Sequence, residues 1–165
     1  DSSEKIPSEG IETGVNSKIF RSDAFSLGKF SDCPVSLIVA GEFIEHIHNP
    51  VDFIEKLRCE FPGRKILLST PNGVSVANFL LGLISREAQH PDHVHVFTYK
   101  ILNTLCIKAG LTNYQIIPYH FFATEMLLNS KGGKKIIVKV IEYMIRSFER
   151  FFPLLSFGYI VSADI

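Results

Sequence analysis

The apolar positions fall into short continuous runs that alternate with periodic stretches. Residues 35–40 (VSLIVA) are almost wholly apolar and stop at Gly41. A run without alternation predicts a strand buried on both faces, as in a parallel sheet. Asn49-Pro50 then supplies an N-cap and a proline at the first helical position. Val51, Phe53, Ile54 and Leu57 mark the buried face of that helix, and Pro62-Gly63 ends it. Residues 65–70 (KILLST) form the next buried strand, closed by Pro71-Asn72-Gly73. Residues 76–84 are apolar and predict a helix, and residues 86–96, rich in His, Asp and Pro, a loop. Helical spacing returns over 99–109 through Ile101, Leu102, Leu105 and Ala109, with Gly110 as the C-cap.

A third strand is predicted at 114–119 and a loop at 129–133. Ile136, Ile137, Val140, Ile141, Met144, Ile145, Phe148 and Phe152 then recur every 3.6 residues, one long amphipathic helix that Pro153 halts. Its stripe predicts burial against the sheet, with a partner or membrane surface as the competing reading for the aromatic cluster at 148–152. Residues 157–163 read as a final strand. Upstream, residues 1–18 are polar, a loop or a weak helix. Residues 18–21 suit a short edge strand leading to Ser22-Asp23-Ala24, and residues 26–34 a loop. The alternation of strands and helices predicts an α/β fold with a helix-flanked sheet. Ligands in such sheets bind beyond the carboxyl ends of the strands. Those ends carry Gly41-Glu42 and Pro71-Asn72.

Composition narrows this only slightly. A chain of 165 residues is one domain. Its 46% hydrophobic and 21% charged content excludes a disordered tail or a coiled-coil rod. Seventeen basic residues balance seventeen acidic ones, so the broad basic footprint of a non-specific nucleic-acid binder is absent and only a local patch is left open. Cys33, Cys59 and Cys106 form no Cys-x-x-Cys pair and read as reduced thiols. With no basic and apolar leader at the start, they point to a cytoplasmic setting. The longest apolar stretch, 151–163, is broken by Pro153 and Gly158 and is too short to span a bilayer.

The candidate chemistry sits in a few motifs. Residues 37–50 (LIVAGEFIEHIHNP) run from a buried strand into a Glu-x-x-Glu-His turn and then a helix. This resembles the class I S-adenosylmethionine-dependent methyltransferases. Residues 61–72 (FPGRKILLSTPN) are similar to the family's Pro-Gly turn and fifth strand, and residues 91–98 (PDHVHVFT) to one of its later loops. Ser22-Asp23-Ala24 resembles its Gly-Asp-Ala turn, and the last helix and strand fit its terminal helix and antiparallel strand. The resemblance runs from Phe20 onward and implies a Rossmann-like methyltransferase sheet. Ser36 departs from the family's usual Asp at a structural position. No Gly-x-Gly-x-Gly occurs, and the chain opens at Asp1 without methionine. The expectation is one N-terminally truncated domain that lacks the first strand and its glycine loop and exposes an apolar sheet edge.

The resemblance implies S-adenosylmethionine as cofactor. It puts Asp23 on the adenine amino group, with a backbone contact from Ala24, Gly41 along the cofactor and Asp1 on the ribose hydroxyls. The competing reading of Asp23 is a turn-forming residue that caps its own loop. Glu42, Glu45 and His46 come together if their segment turns helically, and the loop holding His93 can return to the same strand ends. Two carboxylates and two imidazoles suit Mg²⁺ or Mn²⁺. The pattern is similar to metal-assisted methyltransferases acting on small-RNA 2′-hydroxyls and on catechol-like ubiquinone precursors. In a metal-free alternative His46 or His93 is a general base, and Glu45 and His46 merely pair with neighbours at a helix entrance. His48, His90, His95 and His120 read as surface or loop histidines. Phe79, Tyr119, Phe121 and Phe122 are candidates for an acceptor pocket or, alternatively, core. Lys131, Lys134 and Lys135 read as a solvated turn.

The function expected from all this is methyl transfer, at oxygen in preference to nitrogen or carbon, to a small or medium acceptor. The alternatives are a non-catalytic Rossmann-like scaffold and a nicotinamide-dependent dehydrogenase. The latter has no need of the Glu-x-x-Glu-His turn. Oligomeric state is not legible.

Overall fold

The computed structural model describes residues 23–30, 34–87 and 90–165. Its described strands form one four-stranded sheet. They are β1 (Leu37–Gly41), β2 (Lys65–Pro71), β3 (Thr112–Tyr119) and β4 (Gly158–Asp164), in the order β1-β2-β4-β3. β1 and β2 are parallel, and β4 runs antiparallel to both of its neighbours, β2 and β3. β1, β2 and β3 therefore point the same way, and their carboxyl ends share one edge with the start of β4. The fold is the mixed α/β sheet with flanking helices that the alternation predicts, in the Rossmann-like arrangement that the resemblance implies.

The helices are α1 (Pro50–Glu60), α2 (Val76–Leu83), α3 (Tyr99–Lys108), α4 (Thr124–Leu128) and α5 (Gly133–Phe151). Three of them start on side-chain caps. The oxygens of Asn49, Ser75 and Thr98 accept from the amides of Asp52, Asn78 and Ile101. Each satisfies one of the donors that a first helical turn leaves orphaned. α3 ends where Gly110 takes φ +65°, and Arg58 Nη1 donates to the Ala109 carbonyl at 2.7 Å. The core lies between α1, α3 and one face of the sheet. Phe53, Ile54 and Leu57 meet Leu102, Leu105 and Cys106 over Ile66, Leu68, Tyr159 and Val161. Burying each large side chain of this kind stabilises by roughly 1.5–3 kcal/mol.

Several expectations change. β1 is not buried on both faces. It is an edge of the described sheet, and Leu37 and Val39 are 49% and 63% exposed. Among the described residues the α1–α3 layer covers only one of its faces, so the apolar run marks an edge strand of the described sheet. Within the predicted 26–34 loop, residues Leu27–Phe30 form a 3-10 turn against α1. α4 was not foreseen, because five residues are too few to show a helical period. The stripe of α5 does not pack on the sheet. Ile136, Ile137, Val140 and Met144 are exposed, and the one fully buried residue of the helix is Glu149. The strand at 18–21 and the weak helix near the start lie outside the described residues. Among the described residues no helix is long and apolar enough to cross a membrane.

Candidate active site

The carboxyl ends of β1, β2 and β3 are tied together by one carboxylate. Glu42 follows β1 with φ +48°, a left-handed conformation uncommon for a residue with a side chain. Its amide donates to the Ser69 carbonyl and hydroxyl, both at 3.0 Å. Its Oε1 accepts from Ser69 Oγ on β2 and from the Tyr119 hydroxyl on β3, each at 2.9 Å. Tyr119 reaches that far because its register partner on β4 is Gly158. A methyl group at Gly158 would run into the Tyr119 ring. Burial, and then the Glu42 charge, push the Tyr119 phenol far above its ordinary value, so it acts as a donor and not as a base.

One turn further on, Ile44–His46 form a 3-10 turn that sends Glu45 inward and leaves His46 exposed. The loop at 90–97 is zipped onto this turn. The amides of Val94 and His95 donate to the Glu45 carbonyl at 2.9 and 3.1 Å. His46 Nδ1 stands 3.2 Å from the Asp92 carbonyl, and His95 Nε2 stands 3.1 Å from the His48 carbonyl. A parallel bridge between Asn72 and Phe97 anchors the loop to the end of β2. His93 is thereby returned to His46, with ring centroids 4.7 Å apart. His90, an exposed loop histidine as expected, stands beside them with its ring 5.7 Å from that of His93.

Ligand atoms of Glu45, His46 and His93 lie within 4.8 Å of one another. Glu42 is not part of that trio, since its carboxylate serves Ser69 and Tyr119. Glu45 is 1% exposed, and among the described residues neither of its carboxyl oxygens has a partner within hydrogen-bond geometry. Burial holds it above the ordinary carboxylate range, and the Glu42 charge adds to that. Its own backbone amide most of all, then Thr70 and His46, oppose the shift. A buried carboxyl in this state is relieved either by a proton or by a cation. Carboxylate and imidazole donors of this kind match the chemistry of a divalent ion.

The remaining predicted residues are spread out. A Cβ at Gly41 would meet only Ser69 Oγ, at 3.5 Å, so protein packing does not require glycine there. Asp23 Oδ1 accepts from the Phe25 amide at 2.7 Å, the turn-capping role that was its competing reading. Ala24 is half-buried beside it. Asp1 lies outside the described residues. Of the four aromatic candidates, Tyr119 and Phe121 both pack edge-on to Phe157, while Phe79 and Phe122 have other neighbours among the described residues. Phe79 lines an apolar groove on α2, Tyr119 holds Glu42, Phe121 packs edge-on to Phe157, and Phe122 lies under the Arg146 guanidinium. His120 is not a plain surface residue either, because its Nδ1 stands 3.3 Å from buried Glu149. Sequence reasoning missed Ser69 and the anchoring role of Tyr119. The only trace of either is that Ser69 stands two residues before Pro71 on one strand face, while the Tyr119–Gly158 pairing exists only in the register.

No protein-family model matches the chain, and neither does any curated protein sequence. Solved structures do. A SAM-dependent methyltransferase from Archaeoglobus fulgidus aligns over 88% of this chain and 66% of its own, with TM-score 0.54 and 17% identity. The small RNA methyltransferase HEN1 aligns over 79% of this chain and 14% of its own, with TM-score 0.50 and 14% identity. The chain thus spans just under two thirds of the archaeal protein and a small part of HEN1. At these identities the likeness is one of fold, the class I methyltransferase fold. It carries no support for the metal-assisted O-methyltransferase branch in particular.

Proposed function

We propose that this chain is part of the catalytic domain of an S-adenosylmethionine-dependent methyltransferase that methylates an oxygen of a small or medium-sized acceptor. The observation that carries the reading is the buried, unpartnered Glu45 carboxyl standing with His46 and His93 beyond the carboxyl end of β1. In a sheet of this architecture that edge is where ligands bind. Transfer from a sulfonium to a hydroxyl requires alignment of three atoms and removal of one proton. Glu45, His46 and His93 are the residues that would hold Mg²⁺ or Mn²⁺, which acidifies and orients an acceptor hydroxyl. In the absence of an ion, His46 or His93 is the base.

Gly41 leaves room for the cofactor beside β1, and Asp23 and Ala24 stand at the adenine on the strength of the family resemblance. Asp1 would hold the ribose hydroxyls. The free thiols Cys59 and Cys106 suit a reducing, cytoplasmic compartment.

Calorimetric titration of S-adenosylhomocysteine into the folded chain, with and without Mn²⁺, tests this reading. Saturable binding that Mn²⁺ strengthens, and that Glu45→Gln uncouples from Mn²⁺, is the expected result. A folded chain that takes up neither S-adenosylhomocysteine nor Mn²⁺ overturns it in favour of a non-catalytic scaffold.

A further inference from the structure

α5 is packed the wrong way round for a core helix. Its inward side mixes two acids with half-buried Val138 and Ile145. Glu149 is fully buried, with its Oε2 accepting from the Phe121 amide at 2.9 Å, and Glu142 is half-buried and pairs with Arg146 at 3.5 Å. Its outward side is apolar. Ile136, Val140 and Met144 share one arc by the helical period and are 66%, 52% and 64% exposed. The apolar surface continues onto α2, because Phe79 and Leu80 face Met144 and Phe148 across an open groove of about 890 Å³. Contiguous apolar surface of this extent on a soluble domain marks an interaction site.

Charge identifies the occupant. In a chain of zero net charge, α5 alone carries five basic residues against two acidic ones. The two acids are already taken by Phe121 and Arg146. Lys134, Lys135 and Lys139 are exposed and form no ion pair among the described residues. An apolar arc flanked by unpaired lysines is the pattern of a helix that lies in a lipid–water interface. The lysine stems can follow the apolar boundary while their ammonium groups reach phosphate. The same face is poorly suited to a second copy of the chain, since a two-fold contact would bring the two lysine rows together.

The geometry points to an anionic lipid surface as the partner of the α5–α2 face, with the apolar arc seated at the headgroup–acyl boundary and Lys134, Lys135 and Lys139 on lipid phosphates. This assignment does not depend on the methyl-transfer reading.

Co-sedimentation of the full chain tests it, using vesicles of phosphatidylcholine alone and of phosphatidylcholine mixed with phosphatidylglycerol. The chain pellets with the mixed vesicles and largely stays in solution with phosphatidylcholine alone, and added salt releases it. The double variant Lys134→Glu/Lys135→Glu lowers the partition coefficient about tenfold or more, at an unchanged thermal melt. Met144→Glu abolishes pelleting, and if that variant fails to fold, the double charge variant decides alone. A folded chain that ignores the mixed vesicles overturns the proposal, as does one that binds both vesicle types equally. A stable dimer in light scattering that Met144→Glu splits would also overturn it, reassigning the face to a second copy.

Discussion

α1 and α5 are both amphipathic, and they face opposite ways. α1 turns Phe53, Ile54 and Leu57 inward and leaves Glu55 in solvent. α5 turns Glu149 inward and leaves Ile137 and Met144 in solvent. α1 begins on the Asn49 cap, whereas α5 begins at Gly132 with no side-chain cap. The comparison teaches that a 3.6-residue period establishes that a helix has two faces, not which face the rest of the protein covers. α1 is held by apolar burial. α5 buries only Glu149 fully, and its Val138 and Ile145 are half-buried.

The sharpest way to break this contrast is to truncate each helix's apolar face. Leu57→Ala removes a fully buried side chain and should destabilise by about 2–5 kcal/mol. Ile137→Ala on α5 should stay within about 0.5 kcal/mol, as an exposed position does. Chemical denaturation measures both. Equal losses would mean that α5 packs like α1.

Next in size is the carboxyl that holds α5. Glu149→Ala orphans the Phe121 amide and should cost about 1–3 kcal/mol, whereas Glu149→Gln retains an acceptor and should cost less. The pH dependence carries a definite sign. Burial raises Glu149 above its ordinary value, and the Phe121 amide, His120 and Arg146 only partly offset this. The folded chain therefore holds more protons than the unfolded one over that range. Stability is fully present below the ordinary glutamate value of about 4.3 and declines as pH rises through the folded value. Glu149→Gln should flatten that decline in melts recorded across pH. An unchanged slope would mean that the inward face of α5 is hydrated.

Smaller again is the start of α1. Asn49→Ala removes its cap and should cost about 1 kcal/mol in the same denaturation experiment. Comparable in size is Tyr119→Phe, which deletes the hydrogen bond to Glu42 for about 0.5–1.5 kcal/mol. A negligible change there would show that Glu42 is held by Ser69 alone.

Much of the fold was legible because its signals are local. The Asn49-Pro50 cap, the Pro62-Gly63 stop and the Gly110 terminus depend on the chemistry of adjacent residues, and the structure has them where the chain implies. The Glu-x-x-Glu-His turn was equally visible, but its geometry was not. Glu42 and Glu45 part company because a positive φ and a 3-10 turn aim them at different neighbours.

The amino-acid order by itself determined the existence of the four strands and of α1, α2, α3 and α5, their main boundaries, and the choice of Glu42, Glu45, His46 and His93 as candidates. Covalent spacing and local hydrogen bonding settle such matters within a few residues. Only the tertiary structure decided that Tyr119 crosses Gly158 to hold Glu42, that His90 joins His46 and His93, that β1 is an edge of the described sheet, and that the apolar stripe of α5 faces outward. Each of those depends on contacts between residues far apart in the chain. On α5 the one fully buried side chain is Glu149, a placement that the helix's own period does not reveal.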